Sequence, residues 1–222
     1  MRPLLPGPLV SFYGDDYTGS SAVMEVLTFA GLPTVLFLDV PTPERLARFE
    51  GYRGIGIAGV ARSRGRKWMD KHLPPVFRAL AELKAPVSHY KVCSTLDSSP
   101  QVGSIGRAAE LAAPILGGAW HPLVIAAPAI ARYQAFGNLF AAAADGVRYR
   151  LDRHPGMSRH PVTPMNEGDI RVHLGRQTSM PIGLVDLVAM KSHQGDEALK
   201  RERAAGAAIV ALDVIDEATL IE

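Results

Sequence analysis

Short apolar runs rich in β-branched residues alternate along the chain with longer stretches whose apolar positions recur at helical spacing. Residues 9–13 read as a first strand. A helix follows, with Thr18 as its N-cap, Ala22, Val23, Val26, Leu27 and Ala30 on one face, and Gly31 closing it. Residues 35–38 and 54–60 read as the next strands, with a short helical stretch at 44–49 between them. Met69, Leu73, Val76, Phe77 and Leu80 are helically spaced, and Pro74-Pro75 predicts a helix that starts late or kinks. A strand at 87–92, a helix carrying Ile105, Ala108, Ala112, Ile115 and Leu116, and a buried strand at 123–126 continue the alternation. Strand and helix in turn predict an α/β fold: a mostly parallel sheet with helices on both faces, a Rossmann-like three-layer arrangement.

The pattern breaks at residues 129–166, where Pro, Gly, Arg and His dominate over a length too great for an ordinary connection. This segment reads as an irregular insertion or flap, with an Ala-rich helix at 140–145 and a strand at 147–151. Regular alternation resumes as a helix at 169–174, a strand at 182–187, a helix at 196–205 and a strand at 208–212. A new helix starts at 216–222, and the chain stops there, as expected of a piece of something longer.

Composition narrows the class. The 222 residues suffice for one large or two small domains, and a single domain of this size buries roughly 70% of its unfolded surface. One cysteine, Cys93, allows no internal disulfide and fits a reducing cytosol. The N-terminus carries one Arg and several Pro rather than a signal peptide, and the apolar runs are too short to span a bilayer. Lys and Arg number 24 against 22 Asp and Glu, so the formal charge of +2 does not favour nucleic acid as the main partner. A cytoplasmic protein is the expectation.

Candidate chemistry concentrates at strand ends. In the run 11–21, an apolar strand ends in Asp15-Asp16 and passes into Thr18-Gly19-Ser20-Ser21. A strand end that meets a helix N-terminus is where open α/β sheets bind ligands, and two adjacent carboxylates there need a partner such as a hydroxyl, a metal or a cation. The basic run 62–67, including Arg64, follows the third strand and reads as a carboxylate or phosphate clamp or as a solvated loop. At 90–100 a strand delivers Lys91 into a row of hydroxyls, Ser94, Thr95 and Ser98, with Asp97 among them. One positive charge beside several reversible donors suits a polyhydroxy acid, while a plain capped turn is the alternative. Arg132 is the charge of a third cluster at 127–138, and most of Arg148, Arg150, Arg153, Arg159, His154 and His160 read as a solvated basic edge. The histidines lack metal-site spacing, so no metal site is expected.

Together these segments resemble the N-terminal domain of the four-carbon acid sugar kinase family. The family's Asp-Asp-Leu-Thr-Gly loop is matched by Asp15, Asp16, Thr18 and Gly19, with Tyr17 for Leu; its Tyr-Lys-Lys-Ile-Asp-Ser-Thr-Leu-Arg-Gly segment is matched by Tyr90, Lys91, Ser94, Thr95 and Leu96. Pro128, Ala129 and Arg132 are similar to a third family region, and the similarity runs on through 152–166. The chain departs where Cys93 stands for the family's Asp and Asp97-Ser98 for its Arg-Gly. The resemblance implies that residues 1–222 form a sugar-acid-binding domain, and that a second domain, absent here, brings ATP and Mg2+. The implied activity is an ATP-dependent kinase (a phosphotransferase) acting on a tetronate or 3-oxo-tetronate, inactive without its ATP-binding domain in cis or trans. In that reading Asp15 or Asp16 orients or deprotonates the attacking hydroxyl, while Thr18, Gly19, Ser20, Arg64, Lys91, Ser94, Thr95, Asp97, Ser98 and Arg132 bind the acid. A sugar-acid-binding or regulatory fragment without transferase activity is the alternative, and homo-oligomerisation is left open. Two other acidic-loop families fail at their reactive residue. A dehalogenase-type phosphatase needs a second Asp where Tyr17 stands, and a receiver domain needs an Asp where the third strand ends in 59–62.

Overall fold

The first strand fixes the layers of the N-terminal region, because successive side chains of a strand point to opposite faces. A computed structural model describes residues 6–222, so the N-terminal residues 1–5, read above as lacking a signal peptide, lie outside the described residues. Two units are distinguished, residues 1–92 with 111–117 and residues 93–110 with 118–222.

Unit 1 contains β1 (Val10–Gly14), α1 (Tyr17–Phe29), β2 (Thr34–Phe37), α2 (Pro43–Ala47), β3 (Gly54–Ala58), α3 (Arg66–Glu82) and β4 (Val87–Lys91). Its four strands are all parallel in the order β2-β3-β1-β4, with Val10 level with Gly54 and Val87. Gly14 lies against Ser20 of α1, where a Cβ would come within 1.9 Å of the Ser20 hydroxyl. Tyr13 points the other way and packs edge-on against Phe77 of α3, ring centroids 6.4 Å apart. Helices α1 and α3 therefore cover opposite faces, and β3 is buried along its whole length. The expected α/β class, a parallel sheet flanked by helices, holds.

Three local expectations change. Asp16, not Thr18, caps α1. The buried contact of Ser20 with Gly14 sets the helix phase, so Ser20, Val23, Met24 and Leu27 face inward while Ala22, Val26 and Ala30 stay exposed. Pro74 and Pro75 do not delay α3, which starts at Arg66 and runs through them. Met69, Leu73, Phe77 and Leu80, none more than 1% exposed, each gain about 1.5–3 kcal/mol by burial, and together they offset the roughly 3 kcal/mol that each of the two interior prolines costs.

The division between the units falls inside α4 (Ile105–Leu116). Unit 2 continues with β5 (His121–Leu123), β6 (Arg132–Ala135), β7 (Asn138–Ala142), β8 (Arg148–Arg150), α5 (Ile170–Gly175), β9 (Ile182–Val185), α6 (Leu187–Lys191), α7 (Gly195–Ala204), β10 (Ile209–Leu212) and α8 (Glu217–Ile221). The parallel strands thus fall in two sheets, the second ordered β5-β10-β9, and β6-β7-β8 form an antiparallel sheet within the segment expected to be irregular. The expected helix at 140–145 is instead β7 and the turn after it. Leu139 and Ala141 point inward in strand alternation, so small side chains there serve sheet packing rather than helix propensity. The strand expected at 123–126 ends at Leu123, although Ile125 and Ala126 remain buried.

Candidate functional site

The loop between β1 and α1 turns sharply, and Asp16, in extended backbone, caps the helix by accepting the Gly19 N–H at 2.8 Å. Asp15 just before it is almost fully buried. Its own N–H donates to the Lys91 carbonyl at 3.1 Å, and its carbonyl accepts the Arg62 N–H at 3.0 Å. The loop is therefore tied to the ends of both β4 and β3.

Arg62 closes the arrangement. Nη2 donates to Asp15 Oδ1 at 2.6 Å and Nη1 to Asp16 Oδ2 at 2.7 Å, so one guanidinium spans both carboxylates. Beneath lie Tyr13 and Tyr90, stacked with centroids 5.7 Å apart. Burial pushes the Tyr13 hydroxyl up to about 12 and raises Tyr90 well above its usual value. Burial also raises the Asp15 pKa, against the pull of Arg62. The Lys91 ammonium sits at the head of α1, 3.4 Å from where a side chain on Gly19 would begin, and donates to the Val92 carbonyl. Two cations thus face two carboxylates where the α1 dipole is positive.

Other expected residues of this unit take lesser places. Ser20 is buried, and its hydroxyl donates to the Asp16 carbonyl at 2.6 Å, so it braces the turn. Thr18 is exposed. Arg64 is exposed, with its guanidinium 5.7 Å from the centre of the Trp68 ring.

In unit 2, the Thr95 hydroxyl donates to Asp97 Oδ1 at 2.9 Å and lies 2.8 Å from Cys93 Sγ. Ser94 is half-buried. Ser98 is buried and donates to the Leu96 carbonyl at 2.8 Å, accepts from Gln177 Nε2 at 2.9 Å and lies 3.0 Å from His173 Nε2. Its hydroxyl is thus engaged inside the fold, although Ser98 borders a cavity of about 390 Å³ together with Ser99, Thr163, Asn166, His173 and Arg176. Arg132 Nη1 reaches the carbonyls of Ile130, Ala131 and Ala142, while its Nε is buried without a hydrogen-bond partner.

Sequence reasoning placed Arg62 in a basic run but chose Arg64. The signal that separates them is distance from the strand: Arg62 follows β3 closely enough to turn back over the loop. His173 of α5 and Gln177 just after it were missed, because only the packed structure reveals that both are buried. Among the described residues, no group of three or more His, Cys, Asp and Glu side chains is placed to hold a metal ion, and no helix is long and apolar enough to cross a membrane.

A family model described as a sugar-binding N-terminal domain matches residues 10–222. Over 219 residues the chain is 55% identical to a 3-oxo-isoapionate kinase of Paraburkholderia graminis, covering 97% of this chain and 46% of that protein. It is 28% identical over 221 residues to a 3-oxo-tetronate kinase of Pseudomonas fluorescens, covering 97% and 49%. The chain spans about half the length of the curated relatives it matches. Among solved structures, a Haemophilus influenzae protein superposes with a TM-score of 0.84 at 24% identity, covering 95% of this chain and 49% of that one. A Bordetella bronchiseptica domain, a domain-swapped dimer with bound citrate, gives 0.72 at 20% identity, covering 96% and 49%. These two likenesses establish the fold alone.

Proposed function

Because the chain belongs to the family of sugar-binding N-terminal domains, we propose that it binds a sugar acid of the 3-oxo-isoapionate or 3-oxo-tetronate type and serves as the acceptor-binding half of an ATP-dependent kinase. The observation that carries this reading is the junction of β1 and α1, where Asp15 and Asp16 meet Arg62 and Lys91 at a helix N-terminus. Such a site offers a carboxylate to a sugar hydroxyl and cations to an acid end, the two halves of a polyhydroxy acid. The higher identity to the isoapionate-acting relative favours its substrate over the tetronate.

ATP with Mg2+ is the donor that kinase relatives imply. Both carboxylates of the acid pair already face one guanidinium, so this pair suits a hydroxyl better than a metal ion, and the donor is assigned to another domain in cis or trans. Separately, within unit 2, Ser94, Thr95 and Asp97 are candidate polar contacts for a sugar acid. The single half-buried cysteine agrees with a cytoplasmic setting, and the swapped dimer of the Bordetella relative supports looking for a homo-oligomer.

The test is thermal stability of this chain with 3-oxo-isoapionate, 3-oxo-tetronate and tetronates, each with and without MgATP. A ligand at a hundred times its dissociation constant adds about 2.7 kcal/mol, enough to move the midpoint visibly. A shift with a sugar acid alone is the expected result. A shift with MgATP alone assigns the domain to the nucleotide instead, and no shift with any of them removes the sugar-acid reading.

A further inference from the structure

The two neighbouring carboxylates at the head of α1 are not equivalent. Asp16 has both side-chain oxygens engaged, Oδ1 by the Gly19 N–H and Oδ2 by Arg62 Nη1. Asp15 gives Oδ1 to Arg62 Nη2, but its Oδ2 is buried with no hydrogen-bond partner. A buried carboxylate oxygen that accepts nothing is costly, and native proteins keep one only where something else uses it. The backbone bonds of Asp15 to Lys91 and Arg62 hold it in that position.

Resting on the sugar-acid reading above, we infer that Asp15 is the carboxylate that contacts the acceptor, taking a sugar hydroxyl on Oδ2, that Arg62 meets the acceptor's own carboxylate, and that Asp16 is a positioning residue. For Asp16 to take the hydroxyl it would have to give up either the α1 cap or its ion pair. Asp15 Oδ2 has no bond to give up.

Arg62 is the movable part, since its side chain is 22% exposed against 1% for Asp15. The carboxylate of an incoming acid competes for the guanidinium, which pairs well with planar anions, and as Arg62 turns toward it the face of Asp15 opens. The hydroxyl then bonds the open Oδ2 of Asp15. This exchange needs an acid, so a polyol of the same length without a carboxylate does not displace Arg62 and does not bind.

The test is calorimetric titration of the chain with tetronate and with erythritol as the uncharged control, on wild type, Asp15→Asn, Asp16→Asn, Arg62→Lys and Arg62→Ala. Asn caps a helix about as well as Asp, so Asp16→Asn keeps α1 and is expected to change affinity less than about threefold. Asp15→Asn is expected to weaken tetronate at least about tenfold, the size of one hydrogen bond to a charged group. Arg62→Lys recovers part of what Arg62→Ala loses. Wild-type affinity falls on acidification as Asp15 takes up a proton; that fall vanishes in Asp15→Asn and persists in Asp16→Asn, a readout that packing alone would not move. Carboxyl carbon shifts in unsubstituted protein make the assignment independent of how well the variants fold: tetronate is expected to move Asp15 more than Asp16. Equal loss in both variants, a shift confined to Asp16, or binding of erythritol as tight as tetronate overturns the inference while the sugar-acid reading stands. A wild type that binds no sugar acid at all overturns both.

Discussion

At the scale of single residues, three side chains carry predictions of different kinds. Asp16 is the N-cap of α1, so Asp16→Ala is expected to cost about 1 kcal/mol of stability in urea unfolding while Asp16→Asn costs little. Asp213 is fully buried at the end of β10, and its carboxylate accepts the N–H groups of Phe136, Gly137 and Leu187 together with Gln134 Nε2. Asp213→Ala leaves those donors without an acceptor, and a loss of about 3 kcal/mol or more is expected by the same measurement. His173 is 6% exposed, and burial, with Arg176 nearby, lowers its pKa from 6.5 to about 4. The unfolded chain takes a proton as pH falls below 6.5 and the folded chain does not until about 4. Stability from this group is therefore whole above pH 6.5 and is lost on acidification between those values, up to about 3 kcal/mol. Urea unfolding at pH 7 and pH 4.5 should show the loss in wild type and a smaller one in His173→Gln. Asp15 and Asp16 were legible as a pair in the sequence because two adjacent acids at a strand end are rare without a use. Which of them is free was not, since that depends on where Arg62 returns in space.

At the scale of elements, a small residue on one strand makes room for a large one on its neighbour. Gly56 of β3 faces the Phe12 ring, and a Cβ there would lie 2.1 Å from Phe12 Cζ. Phe12 is fully buried and has no room to yield, so Gly56→Ala is expected to cost about 2 kcal/mol or more, measured as a fall in the thermal midpoint. Helix α8 is held differently, by a capping box in which Asp216 and Thr219 bond reciprocally while Lys191 pairs with Asp216. Lys191 and the cap bonds hold the Asp216 carboxyl down at about 2. The cap therefore persists on acidification until about pH 2, below the range in which His173 acts. Helical periodicity identified α3 correctly, but not its start, because proline rules count the lost hydrogen bond and not the four core side chains that offset it. Periodicity misassigned 140–145 because an Ala-rich run satisfies helix propensity while its inward alternation serves a sheet.

For the whole molecule, the relation to relatives twice as long makes ligand response the most informative quantity. Tetronate or 3-oxo-isoapionate is expected to raise the melting midpoint of wild type and to leave that of Asp15→Asn nearly unchanged. The α/β class was readable from alternation alone, and so was the break at 129–166. The distribution of parallel strands over two sheets was not, because strand order and sheet membership depend on which hydrogen-bonding edges meet, and side-chain pattern reports only which face is buried.

The amino-acid order by itself determined the local identities: where most strands and helices lie, and that an acid pair and a lysine sit at strand ends. Those properties follow from periods of two and 3.6 residues and from chemistry carried within a few positions. Tertiary structure alone decided that Arg62 spans Asp15 and Asp16, that Ser98 is consumed by His173 and Gln177, and that one oxygen of Asp15 is left without a partner. Each of these turns on an approach between residues 46 or more positions apart, or on its absence, and no local pattern encodes such a distance.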